Sequence, residues 1–463
     1  MIPLILAGMG IVLCLALMTY IAYRVINYEW LQWSLTGLVV SLPFEQIPSL
    51  DIAGGTIRIS QLLVMASLFL ILVLIIQQNE KIIGAKLNFL FFGSLIFFVA
   101  SIPSWFFVED FRRFFITIIP TVLVFLGAIE ISMFLEKPIR AFKWLLVSLF
   151  FACVFGAYQF VGDLAGLPEE LTFLNERYTK AIFGFPRIHS TAIEPLYFAG
   201  MLFLPIFTFL AYWVSHRRPI NIPRVPTSII NVSLIIFFSV FFIATISKSA
   251  IGILGLMVTA VILIWFFKYP HIRTISDVVS LGLSGVIGLY LIIILFPSFN
   301  TWVTVIADHV IDTISGDAAS IQERGIFLST ALQLLPDHAI LGIGSGQYGV
   351  MGSHLLRFLS QQEKGRFFIV NNVYLEVLLE FGIFALTAFV VLIARTLYRG
   401  ALGLYQSNDW TESKSLHIFI LTATLVAYFL QWLTFSPIYI MPIFILIGLL
   451  VNLTDKNHSG SLE

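Results

Sequence analysis

Asn371-Asn-Val-Tyr-Leu-Glu-Val-Leu-Leu-Glu-Phe-Gly-Ile383 is where this chain returns to apolar sequence after its longest polar interruption. The interruption is residues 297–366. It carries His309, Glu323, Arg324, His338, His354, Arg357, Lys364 and the run Leu341-Gly-Ile-Gly-Ser-Gly-Gln-Tyr348. Loops longer than about 15 residues are usually functional or disordered. This one holds too many aliphatic and aromatic residues to read as disordered, so the work of the protein is expected there.

The rest of the chain is almost all membrane. Hydrophobic residues make up 59% of it and its mean hydropathy is +0.96, which selects a polytopic α-helical membrane protein. The formal net charge is zero, so nothing points to a nucleic-acid partner. Cys14 and Cys153 both lie in apolar runs without CxxC or Cys/His spacing. Neither a disulfide framework nor a metal site is expected.

Runs long enough to cross a bilayer take about 20 residues. They fall near 2–23, 29–44, 57–77, 87–105, 113–134, 142–162, 189–213, 228–246, 248–268, 276–296, 368–395, 415–434 and 437–452. The fold class is thus all-α and polytopic, with about 12–14 transmembrane helices and one large extracytoplasmic loop containing amphipathic helices. The chain divides into 1–296 (spans with short loops), 297–366 (the large loop), 367–455 (the last spans) and 456–463. The tail Ser459-Gly-Ser-Leu-Glu463 reads as an appended linker. The run 2–23 has no basic n-region and no small-residue cleavage site, so it reads as a retained span.

Five short connections carry clusters of basic residues. They hold Lys81 and Lys86; Lys137, Arg140 and Lys143; Arg217, Arg218 and Arg224; Lys268 and Arg273; and Arg395, Arg399 and Lys414. Alternation through the spans puts all five on one face, which the positive-inside rule makes cytoplasmic. The C-terminus is then cytoplasmic and the large loop faces outward. No inverted repeat of the kind found in transporters is visible.

Three outward elements carry candidate chemistry. The first is Phe185-Pro-Arg-Ile-His-Ser-Thr-Ala-Ile-Glu-Pro195, with Arg187 and His189 at the mouth of a span and Glu194 about one turn inside it. A carboxylate in a membrane helix faces a cavity or a partner. Glu194 therefore reads either as a proton acceptor or sugar-binding group, or as a structural partner of Arg187. The second is the hairpin Ser247-Lys-Ser249, whose Lys248 reads as a phosphate ligand or as a snorkelling lysine. The third is 320–335, with apolar residues at helical spacing and Glu323-Arg324 in its first turn. It is expected to be an amphipathic helix on or near the membrane. Arginine suits phosphate because its planar fork donates two hydrogen bonds at once, so Arg324 beside Arg187 would clamp a pyrophosphate. Equally, Glu323 and Arg324 would serve as an ordinary helix surface. The glycine run does not read as a nucleotide site, since the strand–glycine–helix context is missing. It reads as a tight turn with close backbone packing. His354, nearest the next span, is a candidate general base.

The order of these stretches resembles the bacterial O-antigen ligase/polymerase superfamily. The residues that carry the resemblance are Arg187 to Pro195, Ser247-Lys-Ser249, Glu323-Arg324, His338 to Tyr348, and Asn372 to Ile383. The resemblance implies a metal-independent membrane glycosyltransferase with a GT-C-like fold and no cofactor. Its substrates would be glycans on undecaprenyl pyrophosphate, at the periplasmic face of the inner membrane. It also implies a chain-length regulator and a flippase as pathway partners. Arg187 and Arg324 would hold the pyrophosphate, helped by Lys248. Glu194 or His354 would take the acceptor proton with inversion at the anomeric centre. His189, Tyr348, Asn371, Asn372 and Tyr374 would line the sugar site. Ligases of this kind carry a histidine directly before the Asn that opens the next span. This chain has Asn371 there, and an amide is no general base. The polymerase reading is therefore preferred to the ligase, and both to a transporter or a scaffold.

Overall fold

The computed structural model describes residues 27–45, 47–52, 55–175, 178–179, 186–218, 226–268, 319–355, 369–407 and 409–455. The expected spans 2–23 and 276–296 lie outside these residues, as do His309 and the two ends of the large loop.

The remaining eleven expected spans are all helices. They are α1 (Tyr28–Val40), α2 (Ile59–Ile76), α3 (Phe89–Ser101), α4 (Phe111–Phe134), α5 (Pro138–Leu164), α6 (Pro195–Val214), α7 (Thr227–Ala244) and α8 (Lys248–Lys268). The large loop then contributes α9 (Ala319–His338) and α10 (Tyr348–Leu355), before α11 (Val373–Tyr405), α12 (Ser413–Gln431) and α13 (Met441–Thr454). Among the described residues nine helices are long and apolar enough to cross a membrane. The sequence reading missed a small antiparallel hairpin, Ser49–Ile52 paired with Gly55–Arg58.

The bundle is centred on α6, α12 and α13. Every α6 residue from Pro195 to Trp213 is buried, whereas α7 and α8 bury only a narrow stripe. In hydrocarbon, helix pairing comes from close packing and internal hydrogen bonds rather than from water exclusion. Both devices are present. Gly448 of α13 sits so near α4 that a Cβ there would come within 2.6 Å of the Ala128 carbonyl oxygen. Phe97, Phe125 and Phe444 tie α3, α4 and α13 together, with ring centroids 5.0 and 4.6 Å apart. Hydroxyls inside the helices donate back one turn, as Thr208 does to Leu204 (2.7 Å) and Thr424 to Ile420 (2.8 Å), which satisfies them without water.

The basic connections do gather at one end. Lys81 pairs with Glu136 at 2.7 Å. Lys143, Arg217, Arg218 and Ser413 line one cavity. Lys268 stands over the Trp410 ring, and Arg395 and Arg399 stand over Phe89. We call this the basic end. The opposite end carries the hairpin, the 186–194 loop, α9, α10 and the glycine run, and we call it the loop end.

Two expectations about the elements are corrected. Glu194 is not inside a span: it is the N-cap residue of α6, and Pro195 is the first helical residue. Proline at that position starts a helix instead of bending it, because its missing N–H would have no partner there anyway. The span expected at 368–395 reaches on to Tyr405 and is broken at Gly382 (φ 85°, ψ 173°).

Candidate functional site

The 186–194 loop is fixed on all sides. Ser190 adopts a left-handed backbone (φ 55°). Its N–H donates to Gln159 Oε1 at 2.8 Å and its hydroxyl donates to the Ala152 carbonyl at 2.5 Å. Thr191 donates to the Pro43 carbonyl at 2.6 Å. His189 is buried, with Nδ1 2.9 Å from the Ala192 carbonyl and its ring edge-on to Tyr178. Burial lowers its pKa, opposed by its hydrogen bonding to the backbone of Ala192, Phe173 and Ser190. A ring so placed shapes the loop and is not exposed to a sugar.

This scaffold delivers Arg187 to the α7–α8 hairpin. The Ile188 N–H donates to the Ala244 carbonyl at 3.2 Å, and Arg187 Nε donates to the Thr245 carbonyl at 3.3 Å. The guanidinium lies 5.7 Å from the Tyr178 ring centroid. Lys248, half-buried, opens α8 from the same hairpin. Burial lowers the Arg187 pKa, Tyr178 and Glu194 raise it, and the positive charge of Arg324 lowers it further. Arg187, Glu194 and Arg324 thus lie within one another's electrostatic reach at Arg187. Arg324 and Glu194 are both exposed, so charges of both signs lie on an open face around Arg187. The side chains of Glu323 and His354 lie outside the described residues.

α9 does not simply rest on a membrane surface. Phe327 and Ala331 pack with Ile343, Tyr348, Val370 and Leu379 in a second small core that docks α9 and α10 onto α11. Tyr348 belongs to that core. It is buried, its hydroxyl donates to the Phe327 carbonyl at 2.7 Å, and burial raises its pKa. It is therefore a strut between α9 and α10 and not a sugar-stacking ring. Asn372 is likewise engaged: it caps α11 by accepting from the Leu375 N–H at 3.0 Å. The Tyr374 hydroxyl donates to the Phe429 carbonyl at 2.9 Å. Asn371 takes a left-handed backbone (φ 57°), a conformation asparagine tolerates better than most residues. Its identity answers a backbone need.

The glycine run performs a task that the sequence reading saw only in outline. At Gly382 the α11 ladder is interrupted, and the run splices it. The N–H groups of Ile343 and Gly344 donate to the Leu379 and Glu380 carbonyls at 3.0 and 2.9 Å, while the Ile383 N–H reaches the Ala339 carbonyl at 2.9 Å. The Glu380 carboxylate then accepts from the Gly346 N–H at 2.8 Å and the Tyr348 N–H at 3.4 Å.

Three acidic side chains at the loop end escaped the sequence reading. Glu376 and Glu380 lie one turn apart on α11, both buried, beside a small cavity shared with Arg113, Ser345 and Tyr439. Glu45 is 1% exposed, and neither carboxylate oxygen has a hydrogen-bond partner. Burial raises its pKa to about 7, with Arg58 pulling the other way. Tyr197 lies within electrostatic reach of Glu194, Glu45, Arg58 and Tyr439. The signal for Glu376 and Glu380 was present as two carboxylates four residues apart in an apolar run. Nothing in the sequence around Glu45 marks it. Among the described residues no group of three metal-ligating side chains converges.

Residues 232–390 match the model of a protein family described as O-antigen ligase. The matched region takes in most of α7, α8, Arg324, the glycine run and the first part of α11; Arg187 and Glu194 lie before it. The match is consistent with the O-antigen ligase/polymerase superfamily and indicates a multi-pass membrane enzyme of glycosyltransferase-like type. A comparison with curated proteins gave no match.

Proposed function

We propose that the protein polymerises oligosaccharide repeat units carried on undecaprenyl pyrophosphate, at the periplasmic face of the inner membrane. The observation that carries this reading is that Arg187, held by the α7–α8 hairpin, lies within electrostatic reach of both Arg324 and the exposed Glu194 carboxylate. A second guanidinium within electrostatic reach of Arg187 suits an anionic leaving group such as a pyrophosphate. Lys248, on the hairpin that Arg187 grips, adds charge without a fork.

In this mechanism the acceptor hydroxyl of one lipid-linked unit attacks the anomeric carbon of the growing chain. The bond from that carbon to the pyrophosphate oxygen breaks, and undecaprenyl pyrophosphate leaves with the electron pair. The hydroxyl proton passes to Glu194, with His354 on α10 as the alternative acceptor. Attack opposite the leaving group inverts the centre. Pyrophosphate is a good leaving group, so positioning and charge neutralisation carry most of the rate. Asn371 supports polymerase over ligase, because the position where ligases hold a histidine serves the backbone here.

The test is glycan analysis in cells lacking the native gene, complemented at matched protein levels. Wild type should give a ladder of long chains. Arg187→Ala or Arg324→Ala should collapse it to a single repeat unit. Long chains that accumulate on the carrier without reaching a final acceptor would indicate a ligase. Normal ladders with both variants would end the clamp.

A further inference from the structure

A cavity of about 470 Å³ opens at the basic end, remote from the face just described. Its walls come from α5, α6, α7 and α12. Phe150, Phe151 and Phe238 are among its apolar lining residues, and Lys143, Arg217 and Arg218 are its cationic ones. No carboxylate is among the residues lining it. Its floor is settled: His417 is buried, with Nδ1 2.5 Å from the Ser413 carbonyl and Nε2 3.3 Å from the Tyr212 hydroxyl. Arg218 Nε donates to the Thr227 hydroxyl at 2.8 Å, which orients its fork. The positive charges of Lys143 and Arg217 both reach the His417 ring.

We propose that this cleft binds an anionic phospholipid, with its phosphate among Lys143, Arg217 and Arg218 and an acyl chain along Phe150, Phe151 and Phe238. Lys143 and Arg217 both line the cleft, no carboxylate is among the described residues that line it, and a bound anion would offset their repulsion. The walls belong to helices that span the membrane, and the flanking Val147 and Phe151 are 42% and 60% exposed. The occupant must therefore be soluble in the bilayer and carry its charge at one end. Basic pockets between transmembrane helices on the cytoplasmic side suit lipid headgroups, and the volume lies in the range of small-molecule sites. None of the residues involved belongs to the proposed reaction, so the site stands or falls independently of it.

The experiment is native mass spectrometry of the full chain in detergent, titrated with phosphatidylglycerol, phosphatidylcholine, undecaprenyl phosphate or inorganic phosphate. Wild type should retain phosphatidylglycerol in preference to the other three. The double variant Lys143→Gln/Arg217→Gln should weaken that binding about thirtyfold, at about 1 kcal/mol for each charge. Leu234→Trp, which fills the apolar wall and keeps every charge, should also abolish it. Size-exclusion profiles check folding. If the double variant does not fold, Lys143→Gln alone, an exposed position, should weaken binding about fivefold. Equal retention of phosphatidylcholine, preference for undecaprenyl phosphate, full competition by inorganic phosphate, or unchanged binding in the variants would each overturn the assignment.

Discussion

The Glu380 carboxylate accepts the Gly346 amide at 2.8 Å, joining the membrane helix α11 to the start of α10 in the large loop. The same side chain accepts the Tyr348 amide at 3.4 Å. The carboxylate thereby does for the N-terminus of α10 what an N-cap residue ordinarily does, but from a different helix. Glu380→Ala leaves two buried donors unpaired, at about 1–3 kcal/mol each. The expected result is a markedly lower thermal midpoint in detergent and faster proteolysis within 339–355. An unchanged midpoint and digestion pattern would show that the loop is held some other way.

Gly382 is required by its backbone. Its φ is 85°, and a Cβ there would fall 2.5 Å from the Ile340 carbonyl oxygen. Gly382→Ala should therefore destabilise the fold by at least about 1–3 kcal/mol. Gly252→Ala on α8, where nothing lies within 4 Å, should be neutral. Thermal unfolding of the pair side by side checks this, and equal midpoints would contradict the splice described for α11.

The clamp makes a graded prediction. Losing either arginine should cut turnover about a hundredfold, or about 2.7 kcal/mol of transition-state stabilisation. Arg324→Lys keeps the charge and loses the two-pronged donor, so it should fall between wild type and Arg324→Ala. Single-turnover assays with a defined lipid-linked donor read this out. A lysine variant no better than alanine would mean that geometry, not charge, dominates at that position.

Glu45 predicts a pH dependence of stability. Its folded pKa is raised to about 7 from the usual carboxylate range by burial. The folded state therefore holds this proton more tightly than the unfolded chain does. The contribution is full below about pH 4.5 and is lost as pH rises through about 7. Arg58 faces the group and limits the shift. Wild type should lose thermal stability between pH 5 and pH 8, and Glu45→Gln, which keeps the neutral shape, should lose less. Parallel curves for the two proteins would remove Glu45 as the source.

The eleven described spans were legible because a bilayer imposes one simple condition, an apolar run of sufficient length, and the chain states it openly. The gathering of basic residues at one end followed from the same alternation. Arg187 and Arg324 were legible as residue types suited to phosphate, and so was the glycine run as a close-packed turn. The site itself was not. That Arg187 comes within electrostatic reach of Arg324, and that Tyr348, Asn372 and Tyr374 spend polar atoms on backbone groups, depends on contacts between distant segments. Local pattern carries no trace of those contacts. Glu45 shows the reason most plainly: an acid just after a short apolar helix reads as exposed until the 189–194 loop and α6 close over it. Sequence determined which segments must lie in the membrane, because solvation acts residue by residue. Only the tertiary structure decided which polar groups remain open to a substrate, because that depends on which neighbour satisfies each one.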